Sequence, residues 1–167
     1  MPAQSKPTSS AGASFSEGAD PRAPKPSAPM KVSTALTRGS NLDEAQMERL
    51  KRDGFRSIVS LNLEGDEDPE YAPKLGLKAF CVPVLDQWHP TVAQVDRFLA
   101  TVTSGENQPT YVHCAGGDGR TSVFVACYRL AVEHWPLTDT LAEASSFGRL
   151  SPEQQEFIER YSHSRNA

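Results

Sequence analysis

Cysteine is scarce in this chain: Cys81, Cys114 and Cys127 are the only three in 167 residues. So small and odd a number cannot build a paired disulfide framework, so at least one thiol is left over. Positive charge is not in excess either, with 17 Lys and Arg against 21 Asp and Glu, a net charge of −4 and a pI near 5.6. That balance argues against nucleic acid or an anionic membrane as the main partner, and any positive field must be local. No apolar run approaches the ~20 residues of a membrane-spanning helix, and the N-terminus has no signal-peptide core. With Met1 as the native start the expected location is cytoplasmic; a trimmed mature form would instead be an exported, periplasmic protein. No Gly-Lys-Ser/Thr occurs, which excludes a nucleotide-binding P-loop, and no internal repeat is visible.

What is present divides in two. Residues 1–29 hold 18 Pro, Ser or Ala and one aromatic, Phe15. Such a segment cannot bury enough surface to offset its ordering entropy, so it is expected to be a disordered tail. Residues 30–167 are expected to form one domain. Thr34–Arg38 reads as a short strand, and Asn41 with Glu44 as the capping box of a helix that reaches Arg52 and stops at Gly54. Phe55–Leu63 is a buried strand. Glu64–Asp68 reads as a solvated acidic loop; its carboxylates match no calcium-loop spacing, and no metal is assigned. Asp68-Pro69 opens a short helix that Gly76 closes. Leu77–Val84 is the next strand, and Thr91 with Gln94 caps a helix with Val95, Phe98 and Val102 on one face. Thr138–Phe147 and Pro152–Tyr161 read as two closing helices, capped by Thr138 and by Ser151 with Gln154. Alternating strands and helices predict an α/β domain: a short, mainly parallel sheet flanked by helices, with chemistry beyond the carboxyl ends of its strands.

The stretch that organises the rest is His113-Cys114-Ala115-Gly116-Gly117-Asp118-Gly119-Arg120-Thr121. Before it lies the strand Pro109–Val112; after it comes a buried helix, Ser122–Leu130. Glycines at 116, 117 and 119 let the backbone curl with its N–H groups inward, and the helix N-terminus adds partial positive charge. The result is an anion cradle of phosphate size, formed by residues 115–120, with the Cys114 thiol at its floor. Inward N–H groups, the helix dipole and Arg120 all favour a thiolate. Arg120 brings a planar fork that matches two phosphate oxygens. The Thr121 hydroxyl can donate to the sulfur, and His113 is expected to order the loop through backbone hydrogen bonds. The alternative is a buried Cys in a glycine turn that binds nothing.

Cys114, five residues, then Arg120, with His113 before and Thr121 after, resembles the signature of the cysteine-dependent phosphatases of the protein-tyrosine-phosphatase class. The resemblance implies a compact fold of dual-specificity size and metal-independent phosphomonoester hydrolysis through a phosphocysteine, with no cofactor. Cleavage by a thiolate needs an acid for the departing oxygen, and Asp86 is the candidate. It follows a strand, shares a loop with Trp88 and Pro90, and resembles the mobile-loop Asp of the class. Asp86, then Pro90, then Val95-Asp96-Arg97-Phe98 resembles more narrowly the small bacterial tyrosine-phosphatase-like phytases, over about residues 32–161. That implies a small phosphorylated substrate, inositol polyphosphates, and a monomer. Two departures stand out. Asp118 places a negative charge in the loop, and Glu64 follows Asn62-Leu63 where many small bacterial relatives carry Arg. A protein tyrosine or dual-specificity phosphatase is the alternative, and a catalytically silent phosphate-binding module is another. His89 and Arg38 are candidate substrate contacts, Lys74 and Arg97 further sources of local charge, and Gln154 or Gln155 candidates for orienting water. Cys81 is either a plain buried thiol or the partner of Cys114 in a reversible disulfide.

Overall fold

The computed structural model describes residues 28–166, so most of the expected N-terminal tail lies outside the described residues. Five strands form one sheet: β1 (Met30–Lys31), β2 (Leu36–Gly39), β3 (Ser57–Asn62), β4 (Lys78–Val84) and β5 (Thr110–His113). Their order is β1-β2-β5-β3-β4, with β1 antiparallel to β2 and the other neighbours parallel. The helices are α1 (Glu44–Arg52), α2 (Asp68–Tyr71), α3 (Val92–Thr103), α4 (Gly119–Ala131), α5 (Leu137–Ser146) and α6 (Pro152–Arg165). The expected α/β architecture is the observed one.

Alternation along β3 and β5 divides the core, because successive side chains leave a strand on opposite faces. Ile58 and Tyr111 meet Met47 and Leu50 of α1 and Ala72 after α2 on one face. Val59, Leu61 and Val112 meet Val95 and Phe98 of α3, Phe124 of α4 and Ile158 of α6 on the other. Arg120 to Leu130 of α4 are all buried, so this helix has no solvated stripe; it is enclosed by the sheet, α5 and α6.

Several expected boundaries shift, each for a local reason. The first capping box is Asp43 with Gln46, not Asn41 with Glu44: Gln46 N donates to Asp43 Oδ1 at 2.7 Å and Asp43 N to Gln46 Oε1 at 2.8 Å. The same residue pattern occurs twice, two positions apart, and Asn41 is already tied down, its N–H on Ala115 O at 3.1 Å. Asp68 is the first residue of α2 instead of its cap, because its carboxylate turns inward. Pro136, not Thr138, precedes α5. The boxes at Thr91/Gln94 and Ser151/Gln154 form as expected. The helix after the glycines begins at Gly119, inside the signature itself.

One close approach fixes β2 against β5. A Cβ at Gly39 would lie 1.9 Å from the Tyr111 hydroxyl, which donates to Ser40 O at 2.8 Å. Gly39→Ala is therefore expected to destabilise the fold by about 1–3 kcal/mol, the usual cost of overpacking. Adding Tyr111→Phe should recover part of that loss in urea unfolding. An unchanged midpoint for the single variant would show that the two strands can part freely here.

Candidate active site

The carboxyl ends of β2, β3, β4 and β5 converge, and each is followed by a segment that enters the site. Cys114, 3 % exposed, follows β5. The Thr121 hydroxyl donates to its Sγ at 3.1 Å. The loop folds over so that Gly117 takes φ +79°, a left-handed conformation natural to glycine. A Cβ there would also lie 2.6 Å from Gly39 O, so the loop packs directly on the end of β2.

Arg38 holds that loop from beneath. Its Nη2 donates to Gly117 O at 2.8 Å and to Ser122 Oγ at 2.7 Å, and its guanidinium lies 3.6 Å from the Phe147 ring centroid. Burial pulls its pKa down to about 10, with the charges of Cys114, Glu143 and Asp118 opposing that shift. With only 2 % exposure, Arg38 is a support of the loop and not the substrate contact expected from sequence. A face of the aromatic ring covers a cation that has Nε and Nη1 without hydrogen bonds.

The acidic loop after β3 also departs from expectation. It is not wholly solvated: Asp66 and Asp68 turn into the molecule, and Glu64, half exposed, reaches in to a buried arginine. Asp68 Oδ2 meets His113 Nε2 at 2.5 Å, both side chains being buried. Asp66 accepts from Ser60 Oγ, from Asn62 Nδ2 at 2.9 Å and from Asp68 N at 3.0 Å. Asn62 Nδ2 also reaches Asn41 Oδ1 at 2.7 Å. Asp66, Asp68 and His113 thus bring ligand-type atoms within 4.8 Å of one another, but the contacts above tie the three to each other and to their neighbours. Imidazole Nδ1 of His113 faces Cys114 O at 3.2 Å, which connects this cluster to the cradle.

Glu64 completes the arrangement. Its Oε1 and Oε2 accept from Arg120 Nη2 and Nη1, each at 2.8 Å, and Nη1 also donates to Val84 O at 3.0 Å. The end of the guanidinium is thereby occupied. Its long edge is not: Nε has no hydrogen-bond partner and lies 3.7 Å from Asp86 Oδ1. A guanidinium carries five donors in a fixed plane, so Nε–H and the second Nη2–H remain as a parallel pair for an oxyanion. The hydrogen bond from Arg120 holds the Glu64 carboxyl below the usual carboxylate range. Burial works against the Arg120 charge, but Glu64, Cys114 and Asp86 together raise its pKa. The signal for Glu64 was present in the sequence as an acidic residue just after a central strand; its partner was not.

Asp86 stands at the rim, 62 % exposed, in the loop after β4. That loop is pinned to α6: Ser151 Oγ donates to Gln87 O at 2.7 Å and Gln154 Nε2 to Trp88 O at 3.2 Å. Gln154 also abuts Gly119, whose Cβ would lie 3.0 Å from its Nε2, whereas Gln155 bonds Glu159 on the surface. His89 stacks between Trp88 and Phe157, with centroids 4.9 and 5.1 Å away and Nδ1 against Pro90 O. It lines a cleft with Pro90 and Arg160 separate from the one at Asp86, so this candidate substrate contact is not brought together with the acid and the cradle. Lys74 pairs with Glu70 and Arg97 donates to Cys81 O, so neither reaches the cradle. Cys81 is exposed and not buried; burial of its sulfur and the nearby Asp66 charge push its thiol up. Its strand position pairs with Ser60, and Ser60 with His113, so β3 lies between Cys81 and β5. Two strand spacings, roughly 9.5 Å, exceed the reach of a disulfide, and Cys114 packs in the core of the opposite face. The alternative of a Cys81–Cys114 disulfide does not fit this fold.

A thiol in a glycine cradle, an arginine edge and an exposed Asp beside it, on this sheet, define a cysteine-dependent phosphatase of the protein-tyrosine-phosphatase class. The family described as "DSP-PTPase phosphatase fused to NAD+ Kinase" matches residues 10–161, and the chain belongs to it. Among curated relatives, the probable NAD kinase 2 of rice chloroplasts (Oryza sativa subsp. japonica) is 31 % identical over 106 residues, which are 59 % of this chain and 11 % of that protein. The chain spans about a tenth of the length of the curated relatives it matches. The core catalytic domain of the PP-IP phosphatase SIW14 from S. cerevisiae superposes with a TM-score of 0.71 at 24 % identity, over 85 % of this chain and 90 % of that one. The PTPMT1 structure in complex with PI(5)P gives 0.71 at 19 % identity, over 83 % and 99 %. At such identities these two structures speak to the fold.

Glu64→Gln keeps the shape but removes the charge that fixes the Arg120 fork. It is expected to lower kcat/KM on an aryl phosphate by about tenfold, the weight of one charge-assisted contact, with an unchanged circular dichroism spectrum. The pair also has a defined pH sense. Because the folded-state pKa of Glu64 is lowered, its contribution is present above the ordinary Glu range and is lost only as pH falls through the lowered value. The variant-to-wild-type ratio should therefore be flat from neutral pH down through about pH 5. A ratio that closes towards one between pH 7 and 5 would contradict the assignment.

Proposed function

We propose that this domain hydrolyses phosphomonoesters of small polyols, inositol polyphosphates being the substrate class, through a phosphocysteine intermediate and without a metal. The observation that carries the reading is the Arg120 guanidinium: its end is taken by Glu64, while the edge with the unpartnered Nε is left for an oxyanion beside the Cys114 thiol. The Cys114 thiolate attacks phosphorus, an S–P bond forms and the ester P–O bond breaks. The proton of Asp86 goes to the departing alkoxide oxygen. Water then attacks the phosphocysteine, Asp86 takes its proton, the S–P bond breaks and phosphate leaves. Loop N–H groups and the Arg120 edge hold the equatorial oxygens as charge spreads over them. The Thr121 hydroxyl at 3.1 Å stabilises the sulfur as it becomes a leaving group. The phytase-like spacing of Asp86, Pro90 and Val95–Phe98 supports the polyol substrate, as does the likeness to a PP-IP phosphatase domain. The name of the family, with its dual-specificity phosphatase, supports phosphoprotein as the second reading.

The test is phosphate release in the presence of a chelator, from an aryl phosphate, a series of inositol phosphates and phosphotyrosyl and phosphothreonyl peptides. Inositol phosphates are expected to give the highest kcat/KM; preference for the peptides would favour the second reading. Cys114→Ser should abolish turnover on every substrate, because a hydroxyl there stays protonated and nucleophilically weak. Near-normal turnover by that variant would remove the covalent mechanism.

Asp86→Asn separates the acid from the nucleophile. An inositol alkoxide leaves poorly without a proton, so its hydrolysis is expected to slow by about 10²–10⁴-fold. An aryl phosphate with an acidic phenol should lose far less. Equal, small losses on both substrates would assign the acid to another residue.

A further inference from the structure

Beside the end of the glycine loop, at Asp118 and Gly119, the surface continues into two adjoining clefts. The inner one, about 430 Å³, runs from Asp86, Asp118 and Gly119 to Arg149 and Gln154. The outer one, about 720 Å³, shares Gly148, Arg149, Leu150 and Pro152 with it and reaches Glu156 and Glu159. Among the described residues Arg149 is the one Lys or Arg lining either cleft, and it enters no salt bridge or hydrogen bond with them. Every other arginine close to the cradle is committed: Arg120 to Glu64 at one end, and Arg38 to the underside of the loop.

The segment that carries Arg149 is held in place on both sides. Gly148 packs on the cradle, where a Cβ would lie 3.3 Å from Asp118 Cβ. Leu150 is buried, and the next residue, Ser151, donates to Gln87 O in the loop of Asp86. Arg149 is therefore suspended between the phosphate loop and the acid loop, with its own side chain exposed. That placement is of no use to the departing oxygen, but it suits a second anionic group on the leaving moiety.

We infer that Arg149 forms a second anion subsite, which takes a further phosphate carried on the leaving group of a compact phosphomonoester. Asp86 and Asp118 flank the inner cleft, and Glu156, 3.9 Å from Arg160, flanks the outer with Glu159, so among the described residues Arg149 is the side chain there with the charge to hold an anion. The inference rests on the phosphatase reading for its substrate class, and the test keeps the two apart.

The subsite is tested with myo-inositol bisphosphate and an aryl monophosphate on Arg149→Ala and Arg149→Lys, both at an exposed position. Arg149→Ala should lower kcat/KM on the bisphosphate by about 10–100-fold, as loss of a charge-assisted hydrogen bond does, mainly by raising KM. The aryl monophosphate, with nothing to reach the subsite, should change less than about twofold. Arg149→Lys should recover part of the loss. Equal effects on both probes, or no effect, would overturn the inference while leaving the phosphatase reading intact. Calorimetric binding of the bisphosphate to Cys114→Ser, with and without Arg149→Ala, reads the subsite without turnover. Weaker binding in the double variant supports the subsite even if no substrate is hydrolysed; unchanged binding overturns it.

Discussion

A guanidinium sealed at 2 % exposure has to be neutralised without being used up, and the site is arranged around that requirement. Arg120 needs a fixed carboxylate to hold its plane, yet a carboxylate hydrogen-bonded to its long edge would close the position meant for substrate, and Asp86 stays 3.7 Å from Nε there without such a bond. Glu64 meets both demands by taking the end of the fork. Val84 O takes a further donor and sets the rotation of the plane. Such an arrangement needs the ends of β3 and β4 to flank the start of α4, and the order β5-β3-β4 provides it.

A second buried guanidinium solves a different problem. A glycine-rich loop is costly to order, since glycine has the most backbone freedom to lose. Arg38 fixes it through a carbonyl and a hydroxyl, while the Phe147 ring covers one face of its guanidinium. On the other side of the sheet Asp68 and His113 brace the Cys114 carbonyl. The loop is thus held from β2, from α4 and from the acidic segment after β3. None of these supports touches the position where phosphate would sit.

Much of this was legible in the sequence, because it is local. The β-formers at 110–112, the glycines and the buried run 122–130 specify a strand, a turn and a helix in a row. The core faces follow from two-residue and 3.6-residue periodicity. The polar contacts across the molecule were not legible. Arg38 and Gly117 are far apart in sequence, as are Glu64 and Arg120, and nothing local distinguishes a solvated charge from one that finds a partner after folding. The acidic run 64–68 is the plainest case. Its composition is that of a surface loop, but Asp66 and Asp68 turn inward and Glu64 finds Arg120, because β3 lies beside β5 in the sheet. Asn41 shows the same limit at a helix start: two overlapping cap patterns are equivalent in sequence, and a contact to Ala115 O separates them.

The anchoring by Arg38 has a consequence for how such domains can be cut, swapped or recognised. The nine-residue signature carries the reactive groups, but the shape of its loop is stored some eighty positions upstream, on β2. A piece of chain that begins after α1 would keep Cys114, Arg120, Asp86 and Glu64 while losing the arginine that draws Gly117 inward. It would answer to every search for the signature and still have no formed cradle. The smallest inheritable unit of this site is therefore the sheet from β2 onward, and the signature by itself is only its visible part.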